Sequence, residues 1–407
     1  MTNEYRRIAL QIGLFIATFI TTTLAGAELC FSRSIYYYGP GSIINQEFTW
    51  ADFWLGAQFS VPFLLILTVH EFGHYFTAMY HKVKASLPYY IPFPPLPYFG
   101  SLIGTMGAVI RIRSRILVNV QNFDIGLAGP LAGFIVALAV LYYGFSTLPP
   151  ADYVFQFHPE YEAYGKDYAD VVYSKEFVEK QGGGMYIYIG SNLLFDFFAH
   201  TVADPDRMPN PYEIMHYPVL MAGFIALFFT ALNLLPIGQL DGGHITYGLF
   251  GRKGHSIIAT VFFILLIFYA GLGAVNIHTD KNELLMGTIP MIFVWIPVAI
   301  WFNYFCFQGL RLPRKTTLMY ACLVFALQFI ITAMFPTVEG YRGWILFGMI
   351  IGRFIGVHHP PAEIEQPLDG KRIVLGWLML IIFLLCFSPS PLEIGLIEPT
   401  TTQPPGQ

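Results

Sequence analysis

The sequence predicts an all-α polytopic membrane protein with about eight or nine transmembrane helices and a small membrane-associated β-hairpin between the second and third. Three observations lead there. Apolar residues make up 55% of the 407-residue chain and charged residues only 12%, about half the charged share of a soluble domain. Long apolar stretches recur along it, most near the ~20 residues a helix needs to cross a ~30 Å hydrocarbon core. Lysines and arginines cluster in the segments that alternation would place on one side.

The stretches are residues 8–28, 54–80, 124–145, 213–236, 255–277, 284–306, 317–335 and 373–389, with a ninth at 343–357 interrupted by Arg353. The first follows Arg6 and Arg7 and has no polar region with a small-residue cleavage site, so it reads as an uncleaved span with the N-terminus inside. Lys82, Lys84, Arg111, Arg113 and Arg115 put the segment after span two on the same side. The loop 146–184 carries Asp152, Glu160, Glu162, Asp167, Asp170, Glu176 and Glu179 against three lysines and reads as external. Later basic clusters, Arg252 with Lys253, Arg311 with Arg314 and Lys315, and Lys371 with Arg372, fall inside by alternation if 343–357 spans. Net charge is −4 with no basic block, so no nucleic-acid partner is expected. Cys30, Cys306, Cys322 and Cys386 form no CxxC pair and read as small buried hydrophobes.

Two inter-span segments stand apart. Residues 86–118 open on a Pro-rich run, with prolines at 92, 94, 95 and 97 that exclude a helix. They continue with Val109, Arg111 and Arg113 alternating against Ala108, Ile110 and Ile112, a strand signal. Residues 185–202 are too short and too polar, with Ser191, Asn192, Asp196 and His200, for a full crossing, and read as a re-entrant or interfacial helix. Asp124 before IGLAGP reads as a helix N-cap. Gly129 and Gly133 read as a small-residue packing face, and His358 and His359 as interfacial residues before a Pro-Pro turn.

Chemistry concentrates in VHEFGHYF at the end of span two. His70 and His74 lie four apart, on one helical face, and can reach one metal ion. Glu71 lies one step round, where a carboxylate can take a proton from a water on that metal. Such groups are costly in an apolar helix, about 2.5–3.5 kcal/mol each at the centre of a span. Catalytic zinc takes three protein ligands and leaves a fourth position open. Span four, ALNLLPIGQLDGGHI, places Asp241 just past its inner end, at the depth of the histidines. Pro236 breaks that helix, and Gly242 and Gly243 permit a tight turn beside the metal. Asn233 can donate an amide to a developing oxyanion or bond another helix. His244 is a candidate neighbour of the metal or a residue facing the cytoplasm; the latter is favoured.

HEFGH on one membrane helix with N-x-x-P-x-x-x-L-D-G-G on a later one resembles the site-2 protease family of intramembrane zinc metalloproteases. The resemblance runs from about Phe53 to Phe250 and includes GTMGAVI and DIGLAGPLAG. It implies that His70, His74 and Asp241 bind one Zn2+ ion, that Glu71 activates water, and that Asn233 assists substrate or oxyanion binding. It also places the family's substrate-gating glycines near Gly129 and Gly133. Substrates would be membrane-spanning proteins, cleaved in a bacterial cytoplasmic membrane with the site toward the cytoplasm. No stretch is long enough for a PDZ or CBS domain, which points to the compact branch. The expected organisation is an N-terminal span and external loop (1–52), a catalytic core (53–252), additional helices (253–389) and a polar tail (390–407). A transporter is the rival class, since intramembrane His and Asp also mark ion pathways, but no paired half-repeats are visible. An inactive homologue that only binds is a third reading, and the presence of Glu71 argues against it. Substrate identity and oligomeric state are not legible.

Overall fold

The computed structural model describes residues 3–36, 44–96, 103–174, 176–177, 184–278, 284–285 and 289–397. Pro97 and the two aromatics after it, part of the acidic loop, and the tail beyond 397 lie outside them. The chain forms two compact units. One comprises Met1–Ser114, Ala128–Ala231 and Leu384–Gln407, the other Arg115–Leu127 and Leu232–Phe383.

In the first unit, helices α1 (Asn3–Phe31) and α2 (Trp50–Tyr80) pair along small residues. A Cβ on Gly56 would lie 1.9 Å from the Thr23 carbonyl oxygen, and one on Gly26 would lie 2.5 Å from that of Gly56. Thr22 and Ser60 share a buried 2.8 Å hydrogen bond one turn away. Apolar helices in lipid gain nothing from hiding apolar surface, so close backbone contact and such polar bonds hold them. Thr49 caps α2 reciprocally with Asp52.

Strands β1 (Tyr89–Pro92) and β2 (Thr105–Val109) follow as an antiparallel pair with an irregularity between Tyr90 and Pro92. The pairing continues past β2, since Ser86 N donates to the Arg111 carbonyl and Arg113 N to that of Lys84. Exposure alternates from Val109 to Arg113, with Val109, Arg111 and Arg113 outward, as the sequence pattern predicts. The hairpin is anchored to α1 by Gln11 Nε2 donating to the Leu87 carbonyl (2.7 Å) and Thr21 Oγ1 to that of Gly104 (2.6 Å).

Helix α3 (Asn119–Ser146) starts earlier than the apolar stretch suggests, so Asp124 lies inside it and is not its N-cap. In the second unit Asp124 instead receives two hydrogen bonds of 2.7 Å each, from Arg372 Nε and Nη2. Asn119 at the helix start exchanges two 2.8 Å bonds with the backbone of Gln366.

The acidic segment after α3 folds around its own small core of Val154, Tyr168 and Val172. It runs through short 3-10 turns at Ala151–Gln156 and Pro159–Asp167 into helix α4 (Tyr168–Val172). Residues 185–202 are not one helix. They divide into strand β3 (Gly184–Ile189) and helix α5 (Leu193–Thr201), capped by Asn192 accepting from Phe195 N. At nine residues α5 is roughly 14 Å long, far short of a crossing. Its Phe195 packs on Phe145 of α3.

Helix α6 (Pro218–Asn233) is followed by α7 (Asp241–Ala270), kinked at Gly251 with φ 65°. The sequence pattern starts this span at 255; the structure adds a preceding helical segment headed by Asp241. Short strands β4 (Leu284–Leu285) and β5 (Ile289–Pro290) lead into α8 (Met291–Phe307). Helix α9 (Arg314–Met334) and α10 (Trp344–Ile350, continuing as a π-helical turn to Ile355) come next. Gln328 Nε2 of α9 donates to the Ile267 and Phe268 carbonyls of α7 at 3.0 and 2.9 Å. Helix α11 (Gly370–Cys386) closes the helical series. The tail is not uniformly polar coil: strand β6 (Leu392–Ile397) pairs antiparallel with β3, Ile189 opposite Leu392.

Among the described residues six helices are long and apolar enough to cross a membrane: α1, α2, α3, α7, α8 and α9. The three other expected spans are shorter. α6 has 16 residues, Trp344–Ile355 twelve and α11 seventeen, or roughly 24, 18 and 25 Å as straight helices. Pro236 and the positive-φ Gly356 (79°) follow the first two ends, where backbone geometry stops a helix from running on.

Candidate active site

Helix α2 carries three ionisable side chains on consecutive turns, and all are buried: His70 is 7% exposed, Glu71 5% and His74 8%. The two Nε2 atoms lie 3.0 Å apart, with the rings nearly perpendicular. Two imidazole nitrogens on one tetrahedral zinc stand ~3.3 Å apart. The pair therefore fits a shared cation. Two imidazole donors suit zinc chemically.

Glycines of α3 make room for these rings. A Cβ on Gly129 would lie 2.0 Å from His74 Nε2, and one on Gly133 would lie 3.0 Å from His70 Cβ. Across the same helix pair, a Cβ on Gly73 would meet the Ala128 carbonyl oxygen at 2.5 Å. Sequence reading assigns Gly129 and Gly133 to helix packing. The structure adds that their missing side chains are the space the imidazoles occupy.

Two polar residues near this turn escape sequence reading. Thr68 Oγ1, one half-turn before His70, shares a 2.8 Å hydrogen bond with the Tyr90 hydroxyl of β1. Burial holds the Tyr90 phenol above its usual range; the Thr68 bond opposes this, and the Glu71 charge raises it further. The hairpin is thereby fixed to the helix that carries the histidines. Tyr90 sits at an inward position of an alternating pattern, but nothing in the sequence names its partner.

In the second unit, Asn233 ends α6 and Asp241 opens α7, with a tight turn between them. Gly238 has φ 56°, a conformation that favours glycine. Gly242 and Gly243 are packed against the turn itself, their would-be Cβ atoms 2.0 Å from the Leu234 and 2.3 Å from the Gly238 carbonyl oxygens. Asp241 occupies the first turn of α7, where the helix dipole favours an ionised carboxylate. His359 does not lie at an interface, and His244 does not simply face solvent. His359 is buried (6% exposed), its Nε2 is 2.8 Å from His244 Nδ1, and its ring stacks on Tyr247. His255 Nε2 accepts from the His359 backbone N–H, so these histidines form one connected group.

A profile of peptidase family M50 matches residues 58–270, just over half the chain. "Probable zinc metalloprotease EGY1, chloroplastic" of Arabidopsis thaliana is 29% identical over 196 residues, 46% of this chain and 28% of that protein. The protein of the same description from Oryza sativa subsp. japonica is 30% identical over 189 residues, 46% of this chain and 27% of its own length. "Probable zinc metalloprotease EGY2, chloroplastic" of Oryza sativa subsp. indica is 27% identical over 228 residues, 56% of this chain and 34% of its own. These matches thus span about a third or less of the relatives' lengths. No solved structure matches.

The packing around His74 yields a direct test. Gly129→Ala should displace the imidazole and lower the zinc retained by purified protein several-fold. Gly13→Ala, at a glycine with nothing within 4 Å of a Cβ, should leave it unchanged. Metal analysis of both folded variants decides, and full zinc in Gly129→Ala would show that the contact is immaterial.

Proposed function

The chain belongs to peptidase family M50, and from that premise we propose that it is a membrane-embedded zinc metalloprotease that hydrolyses peptide bonds within or near the transmembrane segments of other proteins. The observation that carries the reading is the buried pair of imidazoles, Nε2 atoms 3.0 Å apart, beside buried Glu71. The relatives' description as zinc metalloproteases supports zinc as the metal. Six apolar helices of spanning length make it a multi-pass membrane protein. Those relatives are described as chloroplastic, which lends no support to a bacterial cytoplasmic membrane. The inward orientation of the site rests on the distribution of Lys and Arg.

We assign one zinc ion to His70, His74 and Asp241, with Asp241 as the third ligand because it sets a carboxylate at a helix start, beside the glycine turn. When bound, zinc would lower the pKa of a water and polarise the scissile carbonyl. Glu71 takes the proton from the attacking water and returns it to the leaving amine. The Asn233 amide donates to the oxyanion that develops.

The hairpin supplies the means of presenting a substrate. A helical segment hides its carbonyls and must be unwound; an extended peptide can then add to a strand edge by main-chain hydrogen bonds. Arg111 N binds Ser86 and Arg113 N binds Lys84. By strand alternation, the N–H groups of Ile110 and Ile112 therefore point to the opposite edge. The tie from Tyr90 to Thr68 supports placing that edge near the histidines.

Two experiments follow. Asp241→Ala should reduce bound zinc substantially, whereas His244→Ala, whose ring is engaged by His359, should not. The reverse pattern would move the third ligand to His244. For the hairpin, Ile110→Pro should cut cleavage of a co-expressed single-span substrate at least tenfold with zinc content intact, because proline removes the outward N–H. Val109→Ala should be mild. Parent-like cleavage by membrane-inserted Ile110→Pro would leave the segment as a surface hairpin.

A further inference from the structure

His158, Glu213 and His216 converge in the first unit, on segments to which the family motifs assign nothing. Their ligand atoms lie within 4.8 Å of one another. Glu213 is fully buried and His216 is 3% exposed, while the His158 side chain is 29% exposed. Both imidazole Nε2 atoms stand 3.8 Å from the same atom, Glu213 Oε2. That is too far for a hydrogen bond, and Glu213 Oε2 has no hydrogen-bond partner. A carboxylate oxygen buried without a partner carries a desolvation cost that something must offset.

The other atom of each group is already used, and each use turns the remaining atom toward the common point. His216 Nδ1 donates to the Cys30 carbonyl oxygen at the end of α1 (2.9 Å), which leaves Nε2 with its lone pair. His158 Nδ1 faces Glu160 Oε1 at 3.4 Å, with the same consequence for its Nε2. Glu213 Oε1 accepts from the Tyr173 hydroxyl, leaving Oε2 available. Histidine that ligates a metal commonly donates its second nitrogen to a carbonyl or carboxylate in this way. Phe157 stacks on His216 and Tyr161 on His158, which holds the rings in place.

We propose that His158, Glu213 and His216 form a second divalent-metal site, distinct from that of His70 and His74, which takes zinc or a similar first-row ion. Two imidazoles and one carboxylate select such an ion over calcium or magnesium, which prefer all-oxygen shells. Ligands on one tetrahedral zinc stand ~3.4 Å apart, so the 3.8 Å spacings need to close by only about half an ångström. The site's role is a clasp. It joins the folded acidic segment, through His158, to the turn before α6, through Glu213 and His216, and the Cys30 bond ties both to α1.

The test is metal content of the purified full chain. The parent should hold two zinc ions, His74→Ala one, Glu213→Gln one, and the double variant none. Cobalt added to His74→Ala should give the absorption of a tetrahedral site with nitrogen and oxygen ligands, and His158→Ala should abolish it. Because His158 is partly exposed, that variant keeps the test valid if Glu213→Gln misfolds. Unchanged metal content in folded Glu213→Gln or His158→Ala would overturn the proposal and leave a metal-free ion-pair cluster. A parent with one ion, lost in Glu213→Gln and kept in His74→Ala, would support this site while contradicting the zinc assignment at His70 and His74.

Discussion

Close approach of α2 and α3 is the constraint on which the rest depends. Two imidazoles and a carboxylate are buried on one stretch of an apolar helix, and such groups persist there only where the neighbouring helix leaves room for them and for what they bind. Gly73 and Gly129 let the two backbones meet, and the absent side chain at Gly129 is the volume that His74 fills. A larger residue there would push the ring away from His70. Helix packing and the placement of the imidazoles therefore rest on the same glycines.

The same economy runs through the rest of the first unit. Gly26 and Gly56 bring α1 against α2, and α1 in turn holds the hairpin by Gln11 and Thr21. With Tyr90 bonded to Thr68, the hairpin is fastened to both helices. Such anchoring suits the proposed role of the edge, since ordering it at the moment of binding would weaken the encounter with an unwound peptide. In the second unit a different device carries Asp241: a glycine turn that reverses the chain directly into a helix start.

Local pattern made much of this legible. The i, i+4 histidines, the alternation at Val109–Arg113 and the glycines around Asp241 are read from neighbours in sequence, and the structure describes each as expected of its backbone. What escaped is long-range. Asp124 resembles an N-cap because it precedes an apolar run; its partner Arg372 lies 248 residues away. Strand β6 looked like tail because its partner β3 lies about 200 residues away and was hidden in a segment with helical features. His359 read as interfacial from its prolines, whereas its burial follows from His244 and Tyr247 across 115 and 112 positions. His158 and His216 share no motif spacing, so no sequence signal joined them. Two expected spans, 213–236 and 343–357, form shorter helices for another reason: apolar composition extends past the point where Pro236 and Gly356 end them.

The central claim is that Glu71 moves protons beside a metal held by its neighbours and is not itself a ligand. The most direct measurement is zinc per chain and cleavage of a co-expressed single-span substrate for Glu71→Gln, in protein shown to be folded. The account predicts parent-level zinc with cleavage reduced at least a thousandfold, a loss within the range for removing a general base together with the charge that orients its water. Near-normal cleavage, or loss of zinc along with activity, would contradict it.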